Sequence, residues 1–204
     1  MADKPEWMRP SGTPWSRGPG RLVYDNPWIS VTEFQAIAPT GNPALYGLVG
    51  YKNRALAILP LFEDGTILMV GQNRLPFSDY SWEIPEGGGP LGEDPLAGAQ
   101  RELLEETGFE ASNWLEVMRL QLSNSVSDEL AICFLATELS KSDIVAHVDD
   151  TEDIVRVRAP FGDVLQAAMA GYISDSLTVA MLLRVHHMAY TGALPDGLAQ
   201  FVLD

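Results

Sequence analysis

The stretch from Gly87 to Phe109 constrains this chain more than any other. Gly87 is followed after five residues by Glu93, and after seven more by Arg101-Glu102-Leu103-Leu104-Glu105-Glu106-Thr107-Gly108-Phe109. Gly87-Gly88-Gly89 reads as a loop after Trp82-Glu83-Ile84-Pro85, and Pro95 to Thr107 as a helix with Asp94 at its N-cap and Gly108 as its stop. On that helix Glu102, Glu105 and Glu106 fall within an arc of roughly 100°, beside an apolar stripe of Leu96, Ala99 and Leu103. Carboxylates so spaced repel one another, and Glu105 and Glu106 also sit near the helix C-terminus, where the macrodipole disfavours negative charge. A solvated acidic face is one reading of three glutamates. A hard divalent cation, Mg²⁺ or Mn²⁺, is the other, because oxygen ligands would turn the repulsion into coordination.

The rest of the chain narrows the setting. Its 204 residues, 46% apolar and 20% charged, suit one soluble globular domain with some extension. Thirteen basic residues against 28 acidic give a net charge of -15, a field that repels nucleic acid and anionic membranes. A small phosphorylated substrate stays compatible with it if a cation and local arginines offset the field. Cys133 is alone in the sequence, so no internal disulfide forms, which suits a reducing cytoplasm. No segment approaches the roughly 18 apolar residues of a membrane span, and the first ten residues lack the apolar stretch of a secretory signal. The expectation is a cytoplasmic protein.

Prolines 5, 10, 14 and 19 with glycines 12, 18 and 20 predict a loose arm over residues 1–20. Short β-like pieces follow at Leu22 to Tyr24, Trp28 to Phe34 and Leu45 to Tyr51, an N-terminal antiparallel sheet. Ala55 to Phe62 and Ile67 to Val70 flank the turn Glu63-Asp64-Gly65 as a hairpin. Beyond the acidic helix, strands are expected at Trp114 to Leu122, Glu129 to Glu138 and Ile154 to Val157. Helices are expected at Phe161 to Gly171, capped at Gly162-Asp163, and at Ser176 to Tyr190. The order reads as mixed α/β, divided into an arm with a β extension over 1–48 and a main domain over 49–204.

The spacing Gx5Ex7REUxEExGU, with U a bulky apolar residue, is that of the Nudix box, and the chain is identified by it as resembling the Nudix hydrolases. Gln72-Asn73-Arg74, Trp82-Glu83-Ile84-Pro85, Asp149-Asp150-Thr151-Glu152-Asp153-Ile154 and Ile173-Ser174-Asp175 resemble the ADP-ribose and nucleoside-diphosphate-sugar pyrophosphatase branch. The resemblance implies an αβα sandwich around a mixed sheet. It also implies metal-dependent hydrolysis of a pyrophosphate joined to another moiety, giving a nucleoside monophosphate and a sugar phosphate.

By the same resemblance Glu102 and Glu106 are the main metal ligands, Glu105 is a shared or second-metal ligand, and the backbone carbonyl of Glu86 is a further one. Arg101 and Glu93 orient the carboxylates, and Gly87 supports them. The catalytic base falls in the acidic loop over 148–153, with Glu152 the first choice and Asp150 the second. Arg74 resembles an arginine that reaches the substrate's phosphates. Trp28 and Tyr80, with Tyr46, Phe77 and Trp82, are candidates for stacking on a base. His147, His186 and His187 form no ligand pattern.

Enzymes specific for ADP-ribose commonly carry a proline soon after the box, and the diadenosine polyphosphate branch a tyrosine; Leu122 to Glu129 has neither. An NDP-sugar or a broad preference fits both absences. The N-terminal β pieces resemble a segment that pairs subunits, which implies a homodimer. The alternatives are a Nudix-fold sensor that binds a nucleotide without cleaving it, and a housecleaning hydrolase of nucleoside triphosphates or dinucleoside polyphosphates.

Overall fold

The computed structural model describes residues 4–144, 153–194 and 197–203. The chain forms two compact units, one of residues 1–52 with 123–129, the other of residues 53–122 and 130–204.

In the first unit β1 (Ser16–Asp25), β2 (Ile29–Ile37) and β3 (Pro43–Tyr51) make an antiparallel sheet in that order, with Ile29 opposite Tyr51 and Ile37 opposite Pro43. Residues 123–129 dress its edge: Val49 N donates to Val126 O at 2.9 Å, and Tyr51 N to Asp128 Oδ1 at 2.8 Å. The expected arm ends sooner than proline and glycine suggested, because residues 16–20 belong to β1. An edge strand tolerates Pro19, whose missing N–H need not meet a ladder partner, and register shifts mark the same stretch.

The second unit holds β4 (Asn53–Pro60), β5 (Thr66–Arg74), β6 (Asp79–Glu83), β7 (Glu86–Pro90), α1 (Pro95–Thr107), β8 (Phe109–Gln121), β9 (Leu130–Lys141), β10 (Val155–Pro160), α2 (Phe161–Met169), α3 (Ser176–Tyr190) and α4 (Ala199–Leu203). A mixed sheet runs β7-β4-β9-β8, with β4 parallel to β9. Leu56 and Ile58 of β4 pack on Ala99 and Leu103 of α1. Ala57 and Leu59 belong to the larger cluster with Phe161, Met181, Leu182 and Val185 from α2 and α3. Both faces of β4 are therefore buried, which is why Ala55 to Phe62 reads as an unbroken apolar run. Each such leucine or isoleucine contributes about 1.5–3 kcal/mol by leaving water. Helix, sheet and helix form the layers implied by the box.

A second, antiparallel sheet runs β10-β5-β6. Val70 stands opposite both Glu83 and Arg156, Gln72 opposite Ser81, and Arg74 opposite Asp79. Opposed residues share a face, and alternate residues of a strand return to it, so Arg74, Gln72, Glu83 and Arg156 all project from one side.

The expected glycine loop is the strand β7, because Gly87, Gly88 and Gly89 pair with Leu56, Ala55 and Arg54. The expected cap of α2 at Gly162-Asp163 is displaced: Pro160 is the N-cap and makes no side-chain cap bond, while Asp163 lies in the first turn. α1 and α3 hold the expected residues. Asp94 accepts from Ala97 N, Gly108 turns left-handed at φ 76°, and Asp175 Oδ2 accepts from Thr178 N at 2.7 Å.

Candidate metal centre and cleft

Glu102 and Glu106 are buried on α1 and Glu105 is partly exposed. Arg101 reaches across the set. Its Nη1 donates to Glu102 Oε1 at 2.7 Å and Glu105 Oε2 at 3.2 Å, and its Nη2 to Gly88 O at 3.1 Å and Glu93 Oε2 at 3.3 Å. One guanidinium thus fixes two carboxylates of the helix and ties them to β7, which only a planar, many-donor cation can do. Glu93 is held from its other end as well, its carbonyl accepting from Arg54 Nη1 at 3.4 Å.

Gly87 makes room for this arrangement. A Cβ at that position would lie 2.1 Å from Glu102 Oε2. The neighbouring backbone closes on the third carboxylate, Glu86 N donating to Glu106 Oε2 at 3.1 Å. The three carboxylates share one stretch of the helix, with a glycine opened against one of them, and oxygen donors of this kind suit Mg²⁺ or Mn²⁺; among the described residues the carboxylate oxygens drawn within 4.8 Å of one another are those of Glu83, Glu86 and Asp175. Glu102, Glu105 and Glu106 are the side chains that would hold the ion.

Beside the helix lies a cleft of about 490 Å³ lined by Arg74, Phe77, Tyr80, Glu83, Glu86 and Asp175 among others. Carboxylate oxygens of Glu83, Glu86 and Asp175 lie within 4.8 Å of one another. Arg74 answers their charge: Nε donates to Glu83 Oε1 at 2.9 Å, Nη2 bonds Glu83 Oε2, and Nη2 reaches Glu86 Oε1 at 3.2 Å. The fork to buried Glu83 raises the guanidinium's pKa further. Glu86 Oε2 is sealed from solvent and has no hydrogen-bond partner among the described residues. Burial first, then Asp175 and Glu83, push the Glu86 carboxyl well above the usual carboxylate range, with Arg74 opposing.

Of the residues expected in a site, Arg74, Tyr80 and Glu86 line the cleft, while Gly87, Glu93, Arg101, Glu102, Glu105 and Glu106 lie around α1 and β7, next to it through Glu86, whose N–H bonds Glu106. Arg74 meets carboxylates in the position where phosphates were expected. Tyr80 packs edge-on against Trp82 with ring centroids 5.5 Å apart, and both rings lie over Gly71. Phe77 lines the cleft and is 83% exposed. Trp28 and Tyr46 belong to the first unit, where Trp28 O accepts from Lys52 N and Tyr46 stacks edge-on with Trp15. Glu152 and Asp150 lie outside the described residues.

Reading the sequence for site residues passed over Glu83, Asp175 and Arg156. Asp175, which the sequence marks only as part of Ile173-Ser174-Asp175, caps α3 and also stands on the cleft wall. Arg156 reaches the box only because β10 lies beside β5, where its Nε donates to Glu106 O.

A family model described as NUDIX domain matches residues 51–176. The chain is 32% identical over 147 residues to an ADP-ribose pyrophosphatase of Mycobacterium tuberculosis, covering 72% of this chain and 68% of that one. It is 34% identical over 125 residues to a methanol dehydrogenase activator of Bacillus methanolicus, covering 61% and 68%. A crystal structure of an ADP compounds hydrolase superposes with a TM-score of 0.79 at 19% identity, over 91% of this chain and 100% of that one. The family model spans well over half of the sequence and includes the Arg101-bridged carboxylates, and with it the chain belongs to the NUDIX domain family.

Proposed function

We propose that this chain hydrolyses the pyrophosphate bond of a nucleoside diphosphate joined to a further moiety, ADP-ribose or an NDP-sugar, to a nucleoside monophosphate and a sugar phosphate. The observation that carries the reading is Arg101 bridging Glu93, Glu102 and Glu105 while Gly87 leaves space against Glu102. The similarity to a protein named ADP-ribose pyrophosphatase supports the substrate class.

Glu102 and Glu106, with Glu105 and the Glu86 carbonyl, would hold Mg²⁺ or Mn²⁺. When bound, the ion neutralises the diphosphate and lowers the pKa of a bound water. Arg101 and Glu93 orient the carboxylates. Glu152, with Asp150 second, takes the proton from the attacking water. Tyr80 supplies an aromatic face for the base, and Arg74 keeps the cleft's carboxylates in place from a position within reach of a phosphate. The cytoplasm is the setting, in keeping with a single buried thiol, and among the described residues no helix is long and apolar enough to cross a membrane. The exposed aromatic and aliphatic side chains Leu22, Tyr24, Trp28 and Leu45 of the N-terminal unit support a homodimer.

The test is phosphate release after phosphatase coupling, over ADP-ribose, GDP-mannose, UDP-glucose, diadenosine polyphosphates and dNTPs, with Mg²⁺ or Mn²⁺. ADP-ribose or an NDP-sugar is expected to lead the panel. Glu106→Gln is expected to lower turnover on the order of 100-fold, and Glu152→Gln roughly tenfold or more. A preference for dNTPs would replace the reading by the housecleaning class.

A further inference from the structure

A diphosphate entering an acidic cleft needs a guanidinium that carboxylates have not already claimed, and most arginines around this site are held by acidic side chains. Arg74 gives Nε and Nη2 to Glu83 and Glu86. Arg101 gives both terminal nitrogens to Glu102, Glu105, Gly88 and Glu93. Arg54 is turned to the Glu93 carbonyl. Arg158 is spent on Asp64 and Thr66 and lies over the Phe62 ring at 3.6 Å.

Arg156 differs. It projects from the face of β5 and β10 that carries Arg74 and Glu83, is exposed, and bonds through Nε to the backbone carbonyl of Glu106. That bond anchors the side chain on the residue whose carboxylate belongs to the metal set. It leaves the two Nη groups without a carboxylate partner among the described residues. A guanidinium fixed at Nε presents the fork of Nη donors that matches two phosphate oxygens.

We propose that Arg156 is a phosphate-binding residue of this site and takes the diphosphate at the end of α1 where Glu106 lies. The proposal rests on the hydrolytic reading for its substrate class, and calorimetry of binding keeps the two separable.

Hydrolysis of ADP-ribose with Mg²⁺ is to be measured for the wild type, Arg156→Ala and Arg156→Lys, with thermal melts as a folding control and ADP-ribose titrated calorimetrically in each. Expected are a KM raised tenfold or more in Arg156→Ala, a smaller rise in Arg156→Lys, and partial restoration of Arg156→Ala by tens of millimolar added methylguanidine. A helix-anchoring role alone would lower the melting temperature and leave KM and the methylguanidine response flat, and that result would overturn the proposal. A wild type that binds ADP-ribose without cleaving it sinks the hydrolytic reading, while weaker binding by Arg156→Ala would still uphold this one. A wild type that binds neither ADP-ribose nor an NDP-sugar overturns both.

Discussion

Gly87 and Glu102 occupy adjoining space so tightly that one added carbon would strike the carboxylate, the ideal Cβ falling 2.1 Å from Oε2 and 2.2 Å from Cδ. Proximity is what calls for the glycine here, since its φ is not in the left-handed region. Alanine can adopt the strand conformation, so its effect falls on the glutamate. Gly87→Ala is expected to cut turnover at least tenfold while costing about 1–3 kcal/mol of stability, as overpacking does. Steady-state assay and urea unfolding check it; full activity would mean that Glu102 is free to move aside.

Thr178 joins α3 to the segment that leads into the box. Its Oγ1 accepts from Ile84 N at 2.9 Å, and both residues are fully buried. Thr178→Val keeps the shape and orphans the amide, an expected loss of about 1–3 kcal/mol, whereas Thr178→Ser keeps the acceptor. Equal unfolding midpoints for the valine and serine variants would contradict this.

Glu86 gives stability a pH dependence of definite sign. Its carboxyl is raised by burial, then by Asp175 and Glu83. Between the ordinary carboxylate value and the raised folded one, the native chain holds a proton that the unfolded chain has released. Its contribution is therefore complete below the ordinary value and is lost as pH rises through the folded one. In EDTA, the melting temperature of the wild type should fall from about pH 5 toward pH 8 more steeply than that of Glu86→Gln. Parallel curves would remove Glu86 as the cause.

Cys133 should be inert. Burial, followed by the charges of Glu86, Asp175 and Glu116, pushes its thiol up to about 12, so the thiolate is a trace species at neutral pH. A disulfide reagent at pH 8 is expected to leave the folded protein unmodified over hours and to label it stoichiometrically in guanidinium. Rapid labelling of the native protein would refute the burial.

Sequence patterns carried α1, α3 and the individual central strands well, but not α4 and not the expected hairpin, since β4 and β5 belong to different sheets and pair only through the Leu61–Ile67 bridge. Asp94, Pro95 and Gly108 are local signals with local causes, and Leu56 to Leu61 is an apolar run that two-sided burial explains. The strands that escaped were made by their neighbours. Gly87 to Gly89 has little β propensity and becomes β7 because β4 supplies its partners; Ser16 to Gly20 becomes strand on β2 in the same way. The site divides along the same line. Arg101 and the three glutamates lie within one helix, so their spacing alone brings them together. Glu83, Asp175 and Arg156 reach the cleft by tertiary routes that no periodicity encodes, and Arg74 meets carboxylates that are nine and twelve residues away in the chain.

The parallel pairing of β4 with β9 has a consequence during synthesis. Ala55 to Pro60 cannot gain that partner until Ala131 to Ala136 have left the ribosome tunnel. Until then the strand that anchors Gly87 and packs on α1 has one flank open, so the carboxylate platform is assembled late and in one step with its backing sheet. Contacts so distant along the chain slow folding, and a nascent fragment stopped before residue 130 would carry the whole acidic box without the scaffold that holds its parts together.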